Sequence, residues 1–465
     1  MILWLERNLI NMISKIVSKL KDKKLAILGF GKEGKSTYSF IRKYIPNMHL
    51  TIIDMKDVSN DEMFLNDEDV NFVCGEGYLS NLGIYDYIIK APGVSLKDIK
   101  DEEVKSKVTS QLELLLEVNR DNIIGVTGTK GKSTTSSLLY EVFKDQGYDV
   151  YLLGNIGVPV LDNIELYKED TLLVVEMSSH QLEFIEVSPH IGIILNLFQD
   201  HLDHAGDLKH YHDNKMRMFK FQDSDDIALY GDDNKYLHDR VVKDGYKSNL
   251  YDVRFDDSEG GKNSVRIKDK SIYLNGELLY TDGKRNLLGD HNLNNIMFIM
   301  TVAKLKGLDL NKAKESISKF KGLKYRMECI GTYDDVTYYN DTIATIPEAT
   351  IGAIKAIGNV DTLIFGGMDR HIEYDLLISF LKESSISNLV CMPTTGFTIG
   401  NILKDSCDKN IYFVNTLNDA YDVSKKCTAK GMSCLLSPAA ASYEFFKNFE
   451  EKGKAFEEIV KGDNK

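Results

Sequence analysis

The chain has 465 residues, enough for two to four domains that each bury their own core. Its 57 Lys and Arg residues face 70 Asp and Glu residues, and the net charge of −13 disfavours nucleic acid and anionic membranes as partners. The six cysteines are scattered without a C-x-x-C pair, which indicates reduced thiols rather than a disulfide framework or a zinc site. The apolar start Met1–Leu5 is interrupted by Glu6 and Arg7, so we expect no signal peptide, no membrane span and a cytoplasmic protein.

The first third of the sequence predicts a fold that binds a nucleotide-type ligand. Residues Leu9 to Lys21 place apolar and charged positions at helical spacing, which predicts an amphipathic helix. The apolar strand Leu25–Leu28 then enters Gly29–Gly34, a G-x-G-x-x-G pattern, and Asp54 follows 20 residues later at the end of the next strand. In dinucleotide-binding folds an acidic residue at this place binds a ribose hydroxyl. A turn at Pro92 and Gly93 follows a further strand, again at a sheet edge where such folds bind ligands.

The most informative stretch is Gly125–Thr135, where three glycines follow an apolar run and precede a helical pattern. A strand, a glycine-rich loop and a helix in this order bind phosphate, because backbone N–H groups and the helix N-terminus converge on phosphate oxygens. Lys132 is expected to reach the terminal phosphates, and the Ser133 hydroxyl to bind Mg²⁺. Val126 occupies a position where G-x4-G-K-[ST] has glycine, so the loop is a variant of the common P-loop.

Three predicted strands after this loop end in polar residues. Asn155 follows the strand Asp149–Leu153, Glu176 follows Thr171–Val175, and His201 lies just beyond the apolar run Ile191–Leu197. Polar residues at successive strand ends point to one shared site, and a carboxylate at the end of a buried strand suits Mg²⁺. The helix predicted over Lys209–Phe221 carries Lys215, for which a solvated surface lysine is the alternative to a role in this site.

The rest of the chain also predicts mixed α and β structure. Residues from Ser224 to about Tyr280 predict short β segments, Gly289–Asn295 opens a helix that continues to Leu305, and Lys321–Arg326 predicts a hinge and domain boundary. The last third predicts five strands separated by helical stretches, at Val336–Asn340, Thr362–Phe365, Asn388–Met392, Ile411–Val414 and Ser433–Leu436.

With these motifs assembled, the chain resembles the Mur ligases over nearly its whole length. The resemblance is carried by the variant phosphate loop, Glu176–Glu183, Gly289–Asn295, Tyr325–Glu328, Asn340-Asp341, Leu436–Ser442 and Lys447–Glu450. It implies an α/β fold of three domains, in which N- and C-terminal Rossmann-like parallel sheets flank a central P-loop ATPase domain. The implied domains are residues 1–117 for the UDP-sugar, 118–321 for ATP and 322–465 for the amino acid.

The same resemblance implies an ATP-dependent, ADP-forming ligase of peptidoglycan precursor synthesis. It would add D-glutamate to UDP-N-acetylmuramoyl-L-alanine through an acyl phosphate. A carboxylate is a poor electrophile and phosphorylation creates a leaving group, so such a site needs Mg²⁺ and cationic side chains around the transferring phosphoryl oxygens. We therefore expect ATP, Mg²⁺, the UDP-sugar and glutamate as ligands of a monomer.

Roles for individual residues follow from the resemblance as well. It implies catalytic roles for Lys132, Glu176, His201 and Lys215, and Mg²⁺ coordination by Ser133, Glu176, His201 and Lys215 as a carbamate. The implied ATP-binding residues are Gly128, Thr129, Lys130, Gly131, Lys132, Ser133, Thr134, Asn292, Asn295, Arg326 and Asp341. The implied substrate-binding residues are Lys32, Glu33, Asp54, Pro92, Gly93 and Asn155 for the UDP-sugar substrate, and Arg370, Ser442, Tyr443 and Phe449 for glutamate.

One position departs from the family pattern. Many Mur ligases read Asn-Asp-Ser-Lys-Ala-Thr where this chain reads Asn340-Asp-Thr-Ile343-Ala-Thr345, so an expected lysine is isoleucine. An L-glutamate-adding or other Mur-type ligase therefore stays open as an alternative.

Other classes of protein explain less of the sequence. A folylpolyglutamate-synthase-like ligase would share the central loop but gives no reason for the Gly29–Gly34 module. A nicotinamide-dependent oxidoreductase would use that module and leave Lys132 without a role. A non-catalytic nucleotide-binding regulator is disfavoured because Glu176, His201, Lys215 and Asp341 are all present.

Overall fold

The computed structural model describes residues 12–198, 208–283, 285–287, 289–370 and 372–463. The chain forms two compact units, one comprising Met1–Gly283 with His291–Ile317 and the other Lys284–Asp290 with Ser318–Lys465. Two sheets lie in the first unit and a third lies in the second. Within the described ranges, every helix is too short or too polar to span a bilayer.

The first sheet is entirely parallel, with five strands in the order β3-β2-β1-β4-β5. Its strands are β1 (Leu25–Leu28), β2 (Leu50–Asp54), β3 (Val70–Cys74), β4 (Tyr87–Lys90) and β5 (Val108–Thr109), with helices α1 (residues 12–20), α2 (Lys32–Tyr44), α3 (Glu102–Ser106) and α4 (Gln111–Asn119). All four residues of β1 are buried and apolar, as expected for the central strand of a parallel sheet. The predicted strand, glycine loop and helix around Gly29–Gly34 are confirmed.

The second sheet has nine strands in the order β14-β13-β12-β11-β10-β9-β6-β8-β7, with β13 and β14 antiparallel to their neighbours. Its strands are β6 (Ile123–Thr127), β7 (Val150–Gly154), β8 (Leu172–Glu176), β9 (Ile191–Ile194), β10 (Ile227–Gly231), β11 (Asn249–Arg254), β12 (Ser264–Lys268), β13 (Ser271–Leu274) and β14 (Glu277–Thr281). The helices that follow α4 are α5 (Lys132–Lys144), α6 (Ser179–Leu182), α7 (Leu208–Lys220), α8 (Lys235–Asp244), α9 (Asp290–Leu305) and α10 (Leu310–Lys319).

Helix α8 was absent from the sequence prediction, which expected only short β segments between Ser224 and Tyr280. The local signals for this helix are present. The Asn234 side chain caps its first turn by accepting a hydrogen bond from the Leu237 N–H, and Gly245 ends it in the left-handed conformation. The helix buries just Leu237 and Val241, so its apolar periodicity is weak and the neighbouring strands dominate the pattern.

The third sheet has six strands in the order β15-β16-β20-β17-β18-β19, and only the edge strand β15 is antiparallel. The strands are β15 (Glu328–Tyr333), β16 (Val336–Asn340), β17 (Val360–Phe365), β18 (Asn388–Cys391), β19 (Asn410–Phe413) and β20 (Ser433–Leu436), and the helices are α11 (Pro347–Ile357), α12 (Asp375–Glu383), α13 (Thr395–Lys404), α14 (Leu417–Cys427) and α15 (Phe449–Gly462). Leu435 and Leu436 belong to different core clusters, because successive side chains of a strand point to opposite faces of the sheet. The five predicted strands are confirmed, and β15 was not predicted.

Candidate active site

The phosphate loop joins β6 to α5, as the sequence predicted, but it is shorter than expected because Gly125–Thr127 belongs to the strand. Gly128 and Gly131 have φ values of +148° and +88°, in the range that favours glycine. A Cβ atom at Gly131 would lie 2.7 Å from Asn295 Oδ1 on helix α9. Glycine at position 131 therefore permits both the turn into α5 and the close approach of Asn295.

Lys132 and Ser133 begin helix α5, and both are partly buried. The Lys132 ammonium lies over its own loop, where it donates hydrogen bonds to the carbonyls of Gly128 at 2.9 Å and Thr129 at 3.1 Å. A lysine held at the mouth of a glycine-rich loop, beside a helix N-terminus, is the arrangement that binds the terminal phosphates of a nucleotide.

Glu176 ends strand β8, next to the strand that leads into the loop, and pairs in register with Val126 of β6. Its side chain is fully buried. The Asn155 amide donates to Glu176 Oε1 at 2.7 Å, whereas Oε2 accepts no hydrogen bond from any described residue. The structure thus brings together two of the predicted strand-end residues and leaves a buried carboxylate oxygen free to bind a cation.

Lys215 lies on α7 and is 1% exposed, which excludes the alternative of a solvated surface lysine. Its ammonium donates to the Gly128 carbonyl at 3.0 Å and lies 4.8 Å from the centre of the Tyr211 ring. The helix therefore returns Lys215 to the phosphate loop. His201 lies outside the described residues, and within them there is no cluster of three or more His, Cys, Asp and Glu side chains that could hold a metal.

A cleft of about 700 Å³ adjoins the loop. It is lined by Lys130, Gly131, Leu195, Asn196, Leu197, Phe198, Gly231, Asp233, Asn234, Lys235, Tyr236, His291, Asn294 and Asn295. Its apolar and aromatic members, Leu195, Leu197, Phe198 and Tyr236, are of the kind that lines sites for a flat ring. The predicted residues Asn292 and Asn295 are both buried on α9 and hydrogen-bond to each other at 3.2 Å.

The predicted UDP-sugar residues lie around the Gly29–Gly34 loop of the same unit. Asp54 accepts hydrogen bonds from the backbone N–H groups of Phe30 at 2.7 Å and Lys56 at 2.8 Å. The Lys32 ammonium donates to the Gly157 carbonyl at 2.9 Å, and Glu33 accepts from the Gln181 amide at 2.6 Å. Burial raises the pKa of the Glu33 carboxyl. Pro92 is half-buried and Gly93 is exposed in the turn after β4.

In the second unit, Asp341 follows strand β16 and is buried. Its carboxylate accepts hydrogen bonds from the Ser437 hydroxyl at 2.7 Å and from the Met327 N–H at 3.1 Å. Burial nevertheless raises its pKa to about 7. Arg326 is exposed nearby and favours the ionised form of Asp341 by its charge.

The four residues predicted for glutamate lie on three segments of this unit. Arg370 is exposed after β17, and Ser442 is buried with a hydroxyl that has no hydrogen-bond partner among the described residues. Tyr443 is exposed beside it, and Phe449 begins α15. Ile343 is half-buried, and its backbone N–H donates to the Tyr325 carbonyl at 3.2 Å.

Comparison with known proteins agrees with this geometry. Residues 126–303 match the family model of the Mur ligase middle domain. The chain is 32% identical over 456 residues to the UDP-N-acetylmuramoylalanine–D-glutamate ligase of Clostridioides difficile strain 630, covering 95% of this chain and 99% of the relative. The chain belongs to the Mur ligases.

A second relative supports this assignment, and a solved structure shares the fold. This Mur ligase is 30% identical over 452 residues to the UDP-N-acetylmuramoylalanine–D-glutamate ligase of Clostridium kluyveri strain NBRC 12016, covering 95% of this chain and 97% of that protein. Its fold matches the crystal structure of MurF ligase from Thermotoga maritima in complex with ADP, with a TM-score of 0.57 at 18% identity, covering 95% of this chain and 97% of that one.

The sequence prediction missed one residue that shapes the loop of this Mur ligase. Asn196, two residues beyond β9, accepts hydrogen bonds at its Oδ1 atom from the backbone N–H groups of Thr129 at 3.1 Å and Lys130 at 2.9 Å. It also donates to the Lys130 carbonyl at 3.1 Å. Its position near the end of an apolar strand, like those of Asn155 and Glu176, is the signal that could have identified it.

Proposed function

We propose that this Mur ligase joins D-glutamate to UDP-N-acetylmuramoyl-L-alanine with coupled cleavage of ATP to ADP and phosphate, in peptidoglycan precursor synthesis. The observation that supports the nucleotide chemistry is the position of Glu176, with one unpartnered carboxylate oxygen, beside the strand that leads into the Lys132 loop. The choice of substrates is supported by the two UDP-N-acetylmuramoylalanine–D-glutamate ligases that match nearly the whole chain. The folylpolyglutamate-type and L-glutamate alternatives have no comparable support.

The reaction takes two steps. First, a carboxylate oxygen of the L-alanyl group attacks the γ-phosphorus of ATP, the bond from that phosphorus to the bridging oxygen breaks, and ADP leaves with the electron pair. Second, the glutamate amine attacks the carbonyl carbon of the acyl phosphate, loses a proton, and expels inorganic phosphate to form the amide. Both steps develop charge on phosphoryl oxygens, so fixed donors and cations lower the barriers.

The loop supplies those donors. Backbone N–H groups of Gly131 to Thr134, at the start of α5, and the Lys132 ammonium would bind the phosphates, and Lys132 would exchange its loop carbonyls for phosphate oxygens. Mg²⁺, when bound, would neutralise phosphoryl charge, and Ser133 and Glu176 are the described residues whose oxygens fit it. Asn155 would orient Glu176, because its amide holds the other carboxylate oxygen.

The remaining site assignments rest on the resemblance and keep its residue roles. They comprise His201 and a carbamate on Lys215 as Mg²⁺ ligands, Asn292, Asn295, Arg326 and Asp341 for the nucleotide, Lys32, Glu33, Asp54, Pro92, Gly93 and Asn155 for the UDP-sugar substrate, and Arg370, Ser442, Tyr443 and Phe449 for glutamate. We further propose domains at residues 1–117, 118–321 and 322–465, and a monomer that works in the cytoplasm, where ATP is available.

The deciding assay measures ADP and phosphate release by the purified chain with Mg²⁺, ATP and UDP-N-acetylmuramoyl-L-alanine. D-Glutamate, L-glutamate, meso-diaminopimelate and L-lysine are offered separately, and the product is identified by mass and chirality. We expect turnover that requires both the UDP-sugar and D-glutamate. Nucleotide binding without substrate-dependent turnover would refute the ligase, and turnover with another amino acid alone would refute the choice of D-glutamate.

A further inference from the structure

A buried lysine that has no assigned role lies at the carboxyl edge of the third sheet. Lys452 is on helix α15 and is 2% exposed. Its ammonium donates a hydrogen bond to the Gly366 carbonyl at 3.0 Å. Among the residues that the structure describes, no carboxylate forms an ion pair with it. Burial lowers the pKa of Lys452 to about 8, so the side chain still carries its charge at neutral pH.

Lys452 lies on the buried face of its helix, where an apolar side chain would be expected. Phe456 and Val460 lie four and eight residues further on, and both are buried in the core cluster under α15. Lysine is almost never fully buried unless it is paired. A methionine would fill the same space without the desolvation cost of an ammonium. The charge at residue 452 therefore calls for an explanation other than packing.

The carbonyl that Lys452 holds begins the loop that carries Arg370. Gly366 follows strand β17 with φ +118°, and its N–H donates to the Pro438 carbonyl at 2.9 Å. Two residues later, the Met368 N–H donates to the Ala441 carbonyl at 2.8 Å. The Gly366–Arg370 loop is thus tied to the segment that ends at Ser442.

The same turn of helix α15 is fixed from the neighbouring strand. The Asn340 side chain, at the end of β16, donates to the Gly453 carbonyl at 3.0 Å. A Cβ atom at Gly453 would lie 2.3 Å from the Tyr325 ring and 2.6 Å from Thr342 Oγ1, so no side chain fits between the helix and that strand end. Lys452 consequently has little freedom to move away from Gly366.

We propose that Lys452 is a positioning residue for the carboxylates of the glutamate substrate. It holds the Gly366 carbonyl, and with it the loop that presents Arg370, and it adds a buried positive charge at the start of that loop. A dicarboxylic amino acid is the class of ligand that such a pair of cations favours, one exposed at Arg370 and one buried at Lys452. This inference rests on the proposed ligase function.

The test compares Lys452→Met with wild type in the ligation assay. We expect the KM for D-glutamate to rise roughly 10- to 100-fold, the effect of losing one hydrogen bond to a charged group, while the KM values for ATP and the UDP-sugar stay within about threefold. A rise confined to the KM for D-glutamate separates this role from a structural one, since general loosening of the fold would change the KM values of all three substrates or kcat. Thermal unfolding should be unimpaired, because methionine fits a core position.

Two further variants complete the test. Lys454→Met is the matched control, because Lys454 is exposed on the opposite face and lies 3.7 Å from Glu458, and it should match wild type. Lys452→Arg keeps the charge and should keep the KM for D-glutamate within about fivefold of wild type, a readout that stands even if Lys452→Met does not fold. An unchanged KM for D-glutamate in folded Lys452→Met, or a large rise in Lys452→Arg, would overturn the inference. Absence of ligation by wild type would instead overturn the proposed function.

Discussion

Replacing Glu176 with glutamine tests whether the buried carboxylate exists for the cation rather than for the fold. The substitution keeps the size and shape of the side chain and removes its charge. Glu176 is fully buried, and the Asn155 amide donates a hydrogen bond to one of its two oxygens. Because a buried charge with an unsatisfied oxygen is costly, we expect the free energy of unfolding to stay the same or to rise by about 1–3 kcal/mol.

Activity should change in the opposite direction. Loss of a fixed group that stabilises phosphoryl charge typically lowers turnover by about 10²–10³-fold, and we expect Glu176→Gln to fall in this range. In wild type, Mg²⁺ with a non-hydrolysable ATP analogue should raise the unfolding temperature, because a ligand that binds only the native state stabilises it. In Glu176→Gln, adding Mg²⁺ to the analogue should raise the unfolding temperature much less than it does in wild type.

The assay pairs urea denaturation with steady-state kinetics, and Glu68→Gln serves as the control because Glu68 is exposed. Two outcomes would refute the reasoning. A variant that is clearly less stable than wild type would show that the carboxylate supports the fold. A variant that keeps its turnover within about threefold of wild type would show that Glu176 does not serve the reaction.

Replacing Lys132 with alanine should lower turnover by about 10²–10³-fold with a smaller effect on ATP binding, and near wild-type ligation would refute the role of the loop. Lys215→Ala should be nearly inactive and partly rescued by short carboxylic acids if a carbamate supplies oxygen ligands, whereas rescue by alkyl amines would show that the site needs the positive charge. Because burial raises the pKa of Asp341 to about 7 from an unfolded value near 3.8, the stability that its proton contributes is complete below pH ~4 and is lost as the pH rises to 7. Urea denaturation between pH 4.5 and 8 should show this decline, up to about 3 kcal/mol, in wild type but not in Asp341→Asn, and parallel curves would contradict it.

The local features of this chain could be predicted from its sequence because they depend on neighbouring residues. The glycines of the loop impose a turn between strand β6 and helix α5, and the buried strands are short apolar runs. Since the carboxyl ends of parallel strands meet at one edge of the sheet, the meeting of Asn155 with Glu176 also followed from sequence order. Helix α8 was missed because it buries only Leu237 and Val241, which leaves a weak apolar periodicity. Strand β15 was missed because its pairing with β16, rather than its own pattern, makes it a strand.

Tertiary structure alone decided the burial and the hydrogen bonds of the charged side chains. The helical period cannot tell whether the face that carries Lys215 meets solvent or the Gly128 carbonyl, and it cannot reveal that Lys452 occupies a core position against Gly366. The same holds for Glu176, whose second oxygen has no described donor. Burial, and with it the cost of a charge, depends on which distant segments pack around a side chain, and that information is spread over the whole chain rather than held in any local pattern.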